Sequence, residues 1–237
     1  MDKLYIVIPA YNEEANIRQV IDDWYPIVEK YSCSNESRLV IIDDGSKDAT
    51  YEIIRECAKT RPLLTPLTKK NGGHGPCVLT GYRYALSMGA DYIFQTDSDG
   101  QTLPGEFGPF WEQRENYDMV IGHRKARQDG ISRVFVTKTL KLVIRLSFGV
   151  SVTDANTPYR LMKAGTLKKY LGLIPEDFNL PNVMIPVIYA KKNCTVKYIP
   201  ITFRPRQGGV NSINPKKIFQ IGIQAVKDFR NLNRALS

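Results

Sequence analysis

The chain of 237 residues is 43% hydrophobic and 24% charged, which is typical of a soluble globular protein and sufficient for one large core. Four scattered cysteines and two histidines argue against a disulfide framework and a zinc site, and they favour a reducing cytoplasm. The longest apolar runs contain charges and fall short of the ~20 residues that cross a bilayer. The chain begins with a strand-like segment, so we expect no secretory signal.

The net charge of +9 is divided unevenly along the chain. Residues 1–122 carry 12 basic and 19 acidic side chains (−7), whereas residues 123–237 carry 21 and 5 (+16). This asymmetry predicts an anionic partner for the second half: a phosphate group, a nucleic acid or an acidic membrane surface. The alternative is a charge that only keeps the protein in solution.

Strands and helices alternate in the first half. Apolar runs predict strands at 4–10, 38–44, 63–69, 90–94 and 117–122, and apolar side chains three and four residues apart predict helices at 13–31, 46–60 and 75–89. This order predicts an α/β fold with a doubly wound, mostly parallel sheet and helices on both faces. Such sheets bind ligands at the carboxyl ends of their strands.

The second half is less regular. The pattern predicts a basic amphipathic helix at 132–149, strands at 158–164 and 194–203 around a helix near 180–192, and a closing helix at 215–236. No repeat, low-complexity segment or Gly/Ser linker divides the chain. We therefore predict a single domain over residues 1–237.

Polar segments follow three of the predicted strands, at PAYNEE (9–14), DDGSKDAT (43–50) and DSDGQ (97–101). Together they predict a carboxylate-rich crevice across which a nucleotide can lie. Asp97, Asp99 and Gln101 would share one face of an extended segment, where the two carboxylates repel unless a cation or donors lie between them. Mg²⁺ or Mn²⁺ suits such a set, because both bind carboxylates together with substrate phosphates.

Other motifs that bind metals or phosphates do not match. An EF-hand loop needs Gly at its sixth position, where Thr102 stands, and the first strand lacks the G-x-G-x-x-G of a dinucleotide site. A Walker A loop is also absent. The glycine-rich NGGHGP (71–76) predicts either a tight turn into a helix or a role beside a diphosphate.

The ordered set IVIPAYNEE, VIIDDGSKDAT, NGGHGP and DSDGQ resembles the family 2 inverting glycosyltransferases of the GT-A fold. The resemblance continues through IGHR (121–124), DANTPYRLMKA (154–164) and ITFRPRQGGVNSIN (201–214), which are similar to segments of the dolichol-phosphate mannose synthase and polyprenyl-phosphate glycosyltransferase branch. It implies one GT-A domain in which residues 1–122 bind a nucleotide sugar and the basic residues 123–237 bind the acceptor.

The resemblance also implies roles for individual residues. Substrate binding falls on Pro9, Tyr11, Glu13, Asp44, Asp97, Ser98, Arg124 and Arg206, and binding of Mg²⁺ or Mn²⁺ falls on Asp97, Asp99 and Gln101. Of these, Asp44 would accept a hydrogen bond from the base of the donor, a UDP- or GDP-sugar. Arg124 and Arg206 would hold donor or acceptor phosphates, and Asp99 and Arg124 would act in catalysis.

The acceptor has two alternatives. A lipid phosphate is already an anion and needs no general base, whereas a saccharide hydroxyl needs a carboxylate. PEDF (175–178) resembles the segment in which hydroxyl-acceptor relatives place that base, so Asp177 is the candidate; otherwise it is a solvated helix cap. The basic second half favours polyprenyl phosphate.

An anionic bilayer surface is the expected location of a lipid acceptor. The predicted helices 132–149 and 215–236 would lie on it peripherally, at the inner face of a membrane, or would pack into the core. A silent nucleotide-binding or nucleic-acid-binding module is the remaining class. The sequence lacks the interleaved aromatic and basic residues of RNA-binding proteins, so we expect no nucleic-acid partner.

Overall fold

The protein is described by a computed structural model that covers residues 2–32, 36–124, 141–154 and 156–205. The predicted helix at 215–236, residues 132–140 of the predicted helix at 132–149, and Arg206 lie outside these residues. The elements are β1 (Leu4–Ala10), α1 (Ile17–Tyr31), β2 (Arg38–Asp43), α2 (Thr50–Ala58), β3 (Leu64–Thr68), α3 (His74–Ser87), β4 (Tyr92–Gln95), a 3₁₀ turn (Pro104–Glu106), α4 (Gly108–Glu112), β5 (Met119–Arg124), helical residues 141–148 (α5), β6 (Arg160–Lys163), α6 (Ala164–Leu171), α7 (Pro181–Lys191) and β7 (Val196–Ile201).

The seven strands form one mostly parallel sheet in the order β3-β2-β1-β4-β6-β5-β7, which confirms the predicted fold class. Only β6 runs antiparallel to its neighbours β4 and β5. The carboxyl ends of β2, β1 and β4 are therefore adjacent, as the sequence predicted. The carboxyl end of β5 lies at the same edge, because β6 reverses direction between β4 and β5.

Two hydrophobic cores lie on opposite faces of the sheet. Alternate side chains of β1 enter different cores: Tyr5 and Val7 pack with α3, α6 and α7, whereas Leu4, Ile6 and Ile8 pack with α1, α2 and α4. Because β1 is buried on both faces, it reads as a continuous apolar run. This explains why the central strands were recognisable from sequence.

The predicted start of the first helix needs correction, and two short helices were not predicted. The first helix begins at Ile17 and not at Glu13, because residues 11–16 form a turn tied to the loop after β2. The short helices α4 and α6, of five and eight residues, were not predicted, since each spans at most about two turns and carries too few apolar positions to show a period.

The helical residues 141–148 have one buried and one exposed apolar side. Ile144 and Phe148 pack in the core, while Leu142 and Leu146 are 57% and 78% exposed. Of the two predicted roles for this segment, core packing accounts for one of its sides only. No helix in the described part of the chain is long and apolar enough to cross a membrane.

Candidate active site

The loops that follow β1 and β2 are joined by hydrogen bonds at the carboxyl edge of the sheet. The Asn12 amide donates to Ser46 Oγ (2.9 Å) and the Glu13 amide to Thr50 Oγ1 (2.8 Å). Asn12 adopts φ 53°, a left-handed conformation that Asn tolerates better than most residues. The turn after β1 is therefore held against the start of α2.

The structure separates the three residues that were expected to line the nucleotide pocket. Pro9 is buried within β1, opposite Ile42. Tyr11, the first residue beyond the strand, is 37% exposed. Glu13 is 6% exposed and accepts a hydrogen bond from Asn16 Nδ2 (2.8 Å). Of the three, Tyr11 offers a solvent-facing ring at this edge.

Asp44 is the centre of a buried charged cluster. Its Oδ1 accepts from the Lys69 ammonium (2.7 Å), and its Oδ2 accepts from the Gly73 amide (2.7 Å). The Gly72 amide bridges both oxygens at 3.1 and 3.3 Å. Three donors thus occupy a carboxylate that offers about four acceptor sites, which leaves room for one further donor.

The glycine-rich segment 71–76 forms the tight turn into α3, which is the first of the two roles that the sequence left open. Gly72 and Gly73 present their amides to Asp44, and Gly73 has φ 92°. A Cβ on Gly75 would lie 2.3 Å from the carbonyl oxygen of Phe178 and 2.6 Å from that of Asn179. Gly75 therefore allows the backbone of the PEDF segment to pack directly on the start of α3.

His74, the first residue of α3, reaches the loop after β4. Its Nε2 donates to Asp97 Oδ1 at 3.0 Å. Desolvation by neighbouring protein atoms favours the neutral imidazole, but the charge of Asp97 and this hydrogen bond outweigh it and raise the pKa of His74 above its ordinary value. Sequence reasoning missed this contact, and the only signal was a histidine in a glycine-rich turn.

The loop that carries Asp97, Asp99 and Gln101 is bent and not extended. Strand β4 ends at Gln95, residues 98–100 form bends, and Gly100 has φ 69°. The assumption of a two-residue alternation through this segment was therefore wrong. Asp99 Oδ1 accepts from the Gln101 amide (3.2 Å), which closes a tight turn on the carboxylate side chain.

The side chains of this loop are of the chemical types that bind a divalent cation together with a phosphate ligand. The described residues contain no cluster of three His, Cys, Asp or Glu side chains arranged to hold a metal. Asp97 and Asp99 supply two carboxylates, and Gln101 supplies an amide oxygen. Ser98, which lies between the two aspartates along the chain, is buried. Mg²⁺ uses one or two carboxylates and completes its shell with water and substrate phosphates.

Arg124, at the end of β5, is held by two groups. Its Nε and Nη2 donate to the two carboxylate oxygens of Asp154 at 3.1 and 3.0 Å, and its guanidinium carbon lies 5.1 Å from the Phe203 ring centroid. A bidentate pair fixes the plane of the guanidinium. Sequence reasoning named Arg124 and missed this role of Asp154.

Arg160 is a fully buried cation behind the site. It stands opposite Gln95 in the sheet and donates to the backbone carbonyls of Thr157 (3.2 Å) and Asn182 (2.9 Å). Burial lowers the pKa of Arg160, while the neighbouring charges, including Asp97, favour its protonated form. It ties β6 to the start of α7, and the segment DANTPYR was its only signal in the sequence.

Asp177 lies beside the glycine-rich turn, in the same groove as Gly72. It is exposed and lines an open groove of about 700 Å³ together with Lys69, Gly72 and Glu176. Arg83 Nε lies 3.6 Å from Glu176 across this groove. The groove is therefore open to solvent, carries charged side chains on its wall and is adjacent to the Asp44 cluster.

Part of the basic charge of the second half lies at the opposite edge of the sheet. Lys163 ends the antiparallel strand β6, Lys191 ends α7, and Lys192 follows it in the short connection to β7. These lysines are at the amino-terminal edge of the parallel strands. The charge asymmetry alone therefore does not locate a binding site.

Known proteins resemble this chain in sequence and in fold. It is 26% identical over 206 residues to an undecaprenyl-phosphate 4-deoxy-4-formamido-L-arabinose transferase of Pectobacterium atrosepticum, covering 81% of this chain and 62% of that protein. It is 28% identical over 188 residues to a UDP-N-acetylglucosamine–dolichyl-phosphate N-acetylglucosaminyltransferase of Methanococcus voltae, covering 70% and 72%. The chain thus spans less than two thirds of the first of these relatives.

A solved structure with the same fold is glucosyl-3-phosphoglycerate synthase of Mycobacterium tuberculosis in complex with Mn²⁺, UDP-glucose and phosphoglyceric acid. The TM-score is 0.69 at 18% identity, with 98% of this chain and 80% of that one covered. The model of the family described as Glycosyl transferase family 2 matches residues 5–171, more than half of the chain. The chain therefore belongs to glycosyl transferase family 2.

Proposed function

We propose that the protein transfers a sugar from a nucleoside-diphosphate sugar to a polyprenyl phosphate. The observation that carries this proposal is the convergence of Asp44, Asp97 and Arg124 at one edge of the sheet, from the ends of β2, β4 and β5. Carboxylates for a nucleoside and a metal thus share an edge with a guanidinium suited to phosphate. The two relatives named above, which act on undecaprenyl and dolichyl phosphates by their names, support the acceptor class.

The nucleoside would lie across the ends of β1 and β2. Tyr11 would contact it with its exposed ring, and the remaining acceptor site of Asp44 would take an N–H of the base. Glu13 would support the turn that carries Tyr11, and Pro9 would act from within β1. Asp97 and Ser98 would approach the ribose and diphosphate.

Asp99, Gln101 and Asp97 would hold Mg²⁺ or Mn²⁺. When bound, the cation would neutralise charge that develops on the departing diphosphate. The acceptor oxygen would attack the anomeric carbon from the face opposite the leaving group and invert its configuration. A phosphate oxygen needs no base for this attack, and Arg124 and Arg206 would hold the donor or the acceptor phosphates.

A saccharide hydroxyl is the second candidate acceptor. The exposed carboxylate of Asp177 in the open groove favours it, because a sugar could reach this acid without displacing protein. In that reaction Asp177 would accept the hydroxyl proton during the attack.

The acceptor lipid would be met at an anionic membrane surface, on its cytoplasmic face. Leu142 and Leu146 project from α5 next to the exposed side chains Lys141 and Arg145. Apolar side chains flanked by cations are typical of helices that lie in the membrane interface. Contact of this kind would be peripheral and reversible.

A donor panel tests the proposed reaction. Each UDP- and GDP-sugar is tested with Mn²⁺ by thermal shift, because a ligand that binds the native state raises Tm by mass action. Stabilising donors are then assayed for transfer to polyprenyl phosphate and to saccharides. If no stabilising donor gives sugar transfer to either acceptor, the proposal is contradicted.

The substitution Asp177→Asn separates the two acceptors. Asp177→Asn is expected to leave transfer to polyprenyl phosphate near the wild-type rate, with Glu176→Gln in the same groove as the matched control. A loss of sugar transfer of about 100-fold in Asp177→Asn alone, the size of a general-base contribution, would favour the saccharide acceptor.

Asp99→Ala is expected to abolish Mn²⁺-dependent donor binding in calorimetry while circular dichroism stays unchanged.

A further inference from the structure

The segment that follows β7 is attached to the loop that follows β4. The Thr202 amide donates to both carboxylate oxygens of Glu106 at 3.0 Å. The Arg204 amide donates to the Gln101 carbonyl (2.8 Å), and Gln101 Nε2 donates to the Arg204 carbonyl (2.9 Å). Two residues of one loop therefore hold the backbone of residues 202–204.

Gln101 connects this attachment to the candidate cation site. Its backbone amide donates to Asp99 Oδ1 (3.2 Å), so the side chain begins beside the carboxylate. A primary amide has a donor end and an acceptor end. The nitrogen end is used by Arg204, and within the described residues no donor is bonded to Oε1, which is the end that would face a cation.

The attached segment reaches a third functional residue. The Phe203 ring lies 5.1 Å from the guanidinium carbon of Arg124. Residues 202–204 thus contact Glu106, Gln101 and Arg124, and the chain then continues to Arg206. The segment therefore links the loop after β4 to the guanidinium at the end of β5.

The hydrogen bonds of this attachment face water. Thr202 and Arg204 are exposed, and Gln101 is half-buried. Hydrogen bonds that compete with water contribute little net stability, so such a segment opens locally at low free energy. A ligand that orders Gln101 can therefore shift this equilibrium toward the attached state.

We propose that Gln101 and Glu106 are positioning residues that attach segment 202–204 to the donor loop, and that occupancy of the donor site tightens this attachment through Gln101. This inference rests on the proposed function. A cation and a nucleoside diphosphate fix the Oε1 end of Gln101, and its Nε2 end then holds the Arg204 carbonyl more firmly. Donor binding thereby orders the acceptor side, and by linkage the acceptor strengthens donor binding by the same factor.

Amide hydrogen exchange measures this coupling directly. Exchange at the Thr202 and Arg204 amides is followed by NMR in the protein alone and in the presence of Mg²⁺ with UDP or GDP, without Mn²⁺. Calorimetry in the same buffer verifies that the nucleotide binds. We expect the nucleotide to slow exchange at Arg204 by about threefold or more, as an ordered segment opens less often. The Lys163 amide, bonded to the Asp118 carbonyl at the opposite edge, is the internal control and should not change.

Two variants distinguish positioning from a general structural role. Gln101→Glu keeps an oxygen for the cation and loses the donor to Arg204, so nucleotide should bind without slowing exchange at Arg204. Glu106→Gln weakens only the attachment at Thr202, so exchange there should be faster with and without nucleotide, while the response at Arg204 persists.

Each remaining outcome is decisive. If neither nucleotide binds the wild type, the proposed function fails and this inference fails with it. If nucleotide binds and exchange at Arg204 is unchanged, only the coupling is refuted. If Gln101→Glu retains the full response, or loses nucleotide binding altogether, Gln101 does not act through its two amide ends as proposed.

Discussion

Gly75 packs so closely against the backbone of residues 178 and 179 that no side chain fits there. A Cβ at this position would stand 2.3 Å from the Phe178 carbonyl oxygen and 2.6 Å from the Asn179 carbonyl carbon and oxygen. These are backbone atoms, so no side chain can rotate away to make room. Gly75→Ala must therefore move either the start of α3 or the loop that carries Asp177.

The magnitude follows from comparison with a matched glycine. Gly165 is the second residue of α6, as Gly75 is of α3, and nothing lies within 4 Å of a Cβ built there. Gly165→Ala should gain up to about 1 kcal/mol from helix propensity. Gly75→Ala has the same propensity gain but an overpacking cost of about 1–3 kcal/mol, or more against rigid backbone. We expect the overpacking cost to separate the two variants.

Urea unfolding followed by circular dichroism measures both variants against the wild type. Gly75→Ala should unfold at a lower urea concentration than Gly165→Ala, with similar m-values. It should also weaken donor binding, because the shifted segment presents the Gly73 amide to Asp44 and His74 to Asp97. Equal stability of the two alanine variants would refute the reasoning.

Three further predictions concern charge and surface. Asp154→Ala should lower the free energy of unfolding by about 1–3 kcal/mol and weaken nucleotide binding, since the Arg124 guanidinium loses its bidentate partner; unchanged urea midpoints would contradict it. Asp118 accepts three hydrogen bonds from two threonines, and these outweigh burial and lower the pKa of Asp118. Its contribution to the free energy of unfolding is therefore present above its ordinary pKa and is lost as the pH falls through the lowered value. Asp118→Asn should accordingly flatten the fall in Tm below about pH 4, and an unchanged pH profile would exclude this role. Replacing both Leu142 and Leu146 by Ser should reduce binding to anionic vesicles by about tenfold or more, and equal sedimentation with the vesicles would exclude this helix as the contact.

Several features of the fold could be read from local pattern. β1 and β2 are buried on both faces, so their apolar runs gave bounds within one residue of the observed strands. The ends of these strands carry short polar motifs, and parallel packing brings the ends together whatever the loops do. Local reasoning failed at Asp97, Asp99 and Gln101, because a positive φ at Gly100 breaks the alternation on which it relied.

The sequence by itself determined the fold class, the family and the edge of the sheet where the chemistry lies, because apolar periodicity and ordered motifs are local properties of the chain. Only the tertiary structure decided which partner each polar side chain takes. Lys69 with Asp44 and Gln101 with Arg204 are separated by 25 and 103 residues. Such pairs depend on how loops from different strands are placed in space, and a hydrogen bond that requires a distance near 3 Å leaves no periodic trace in the sequence.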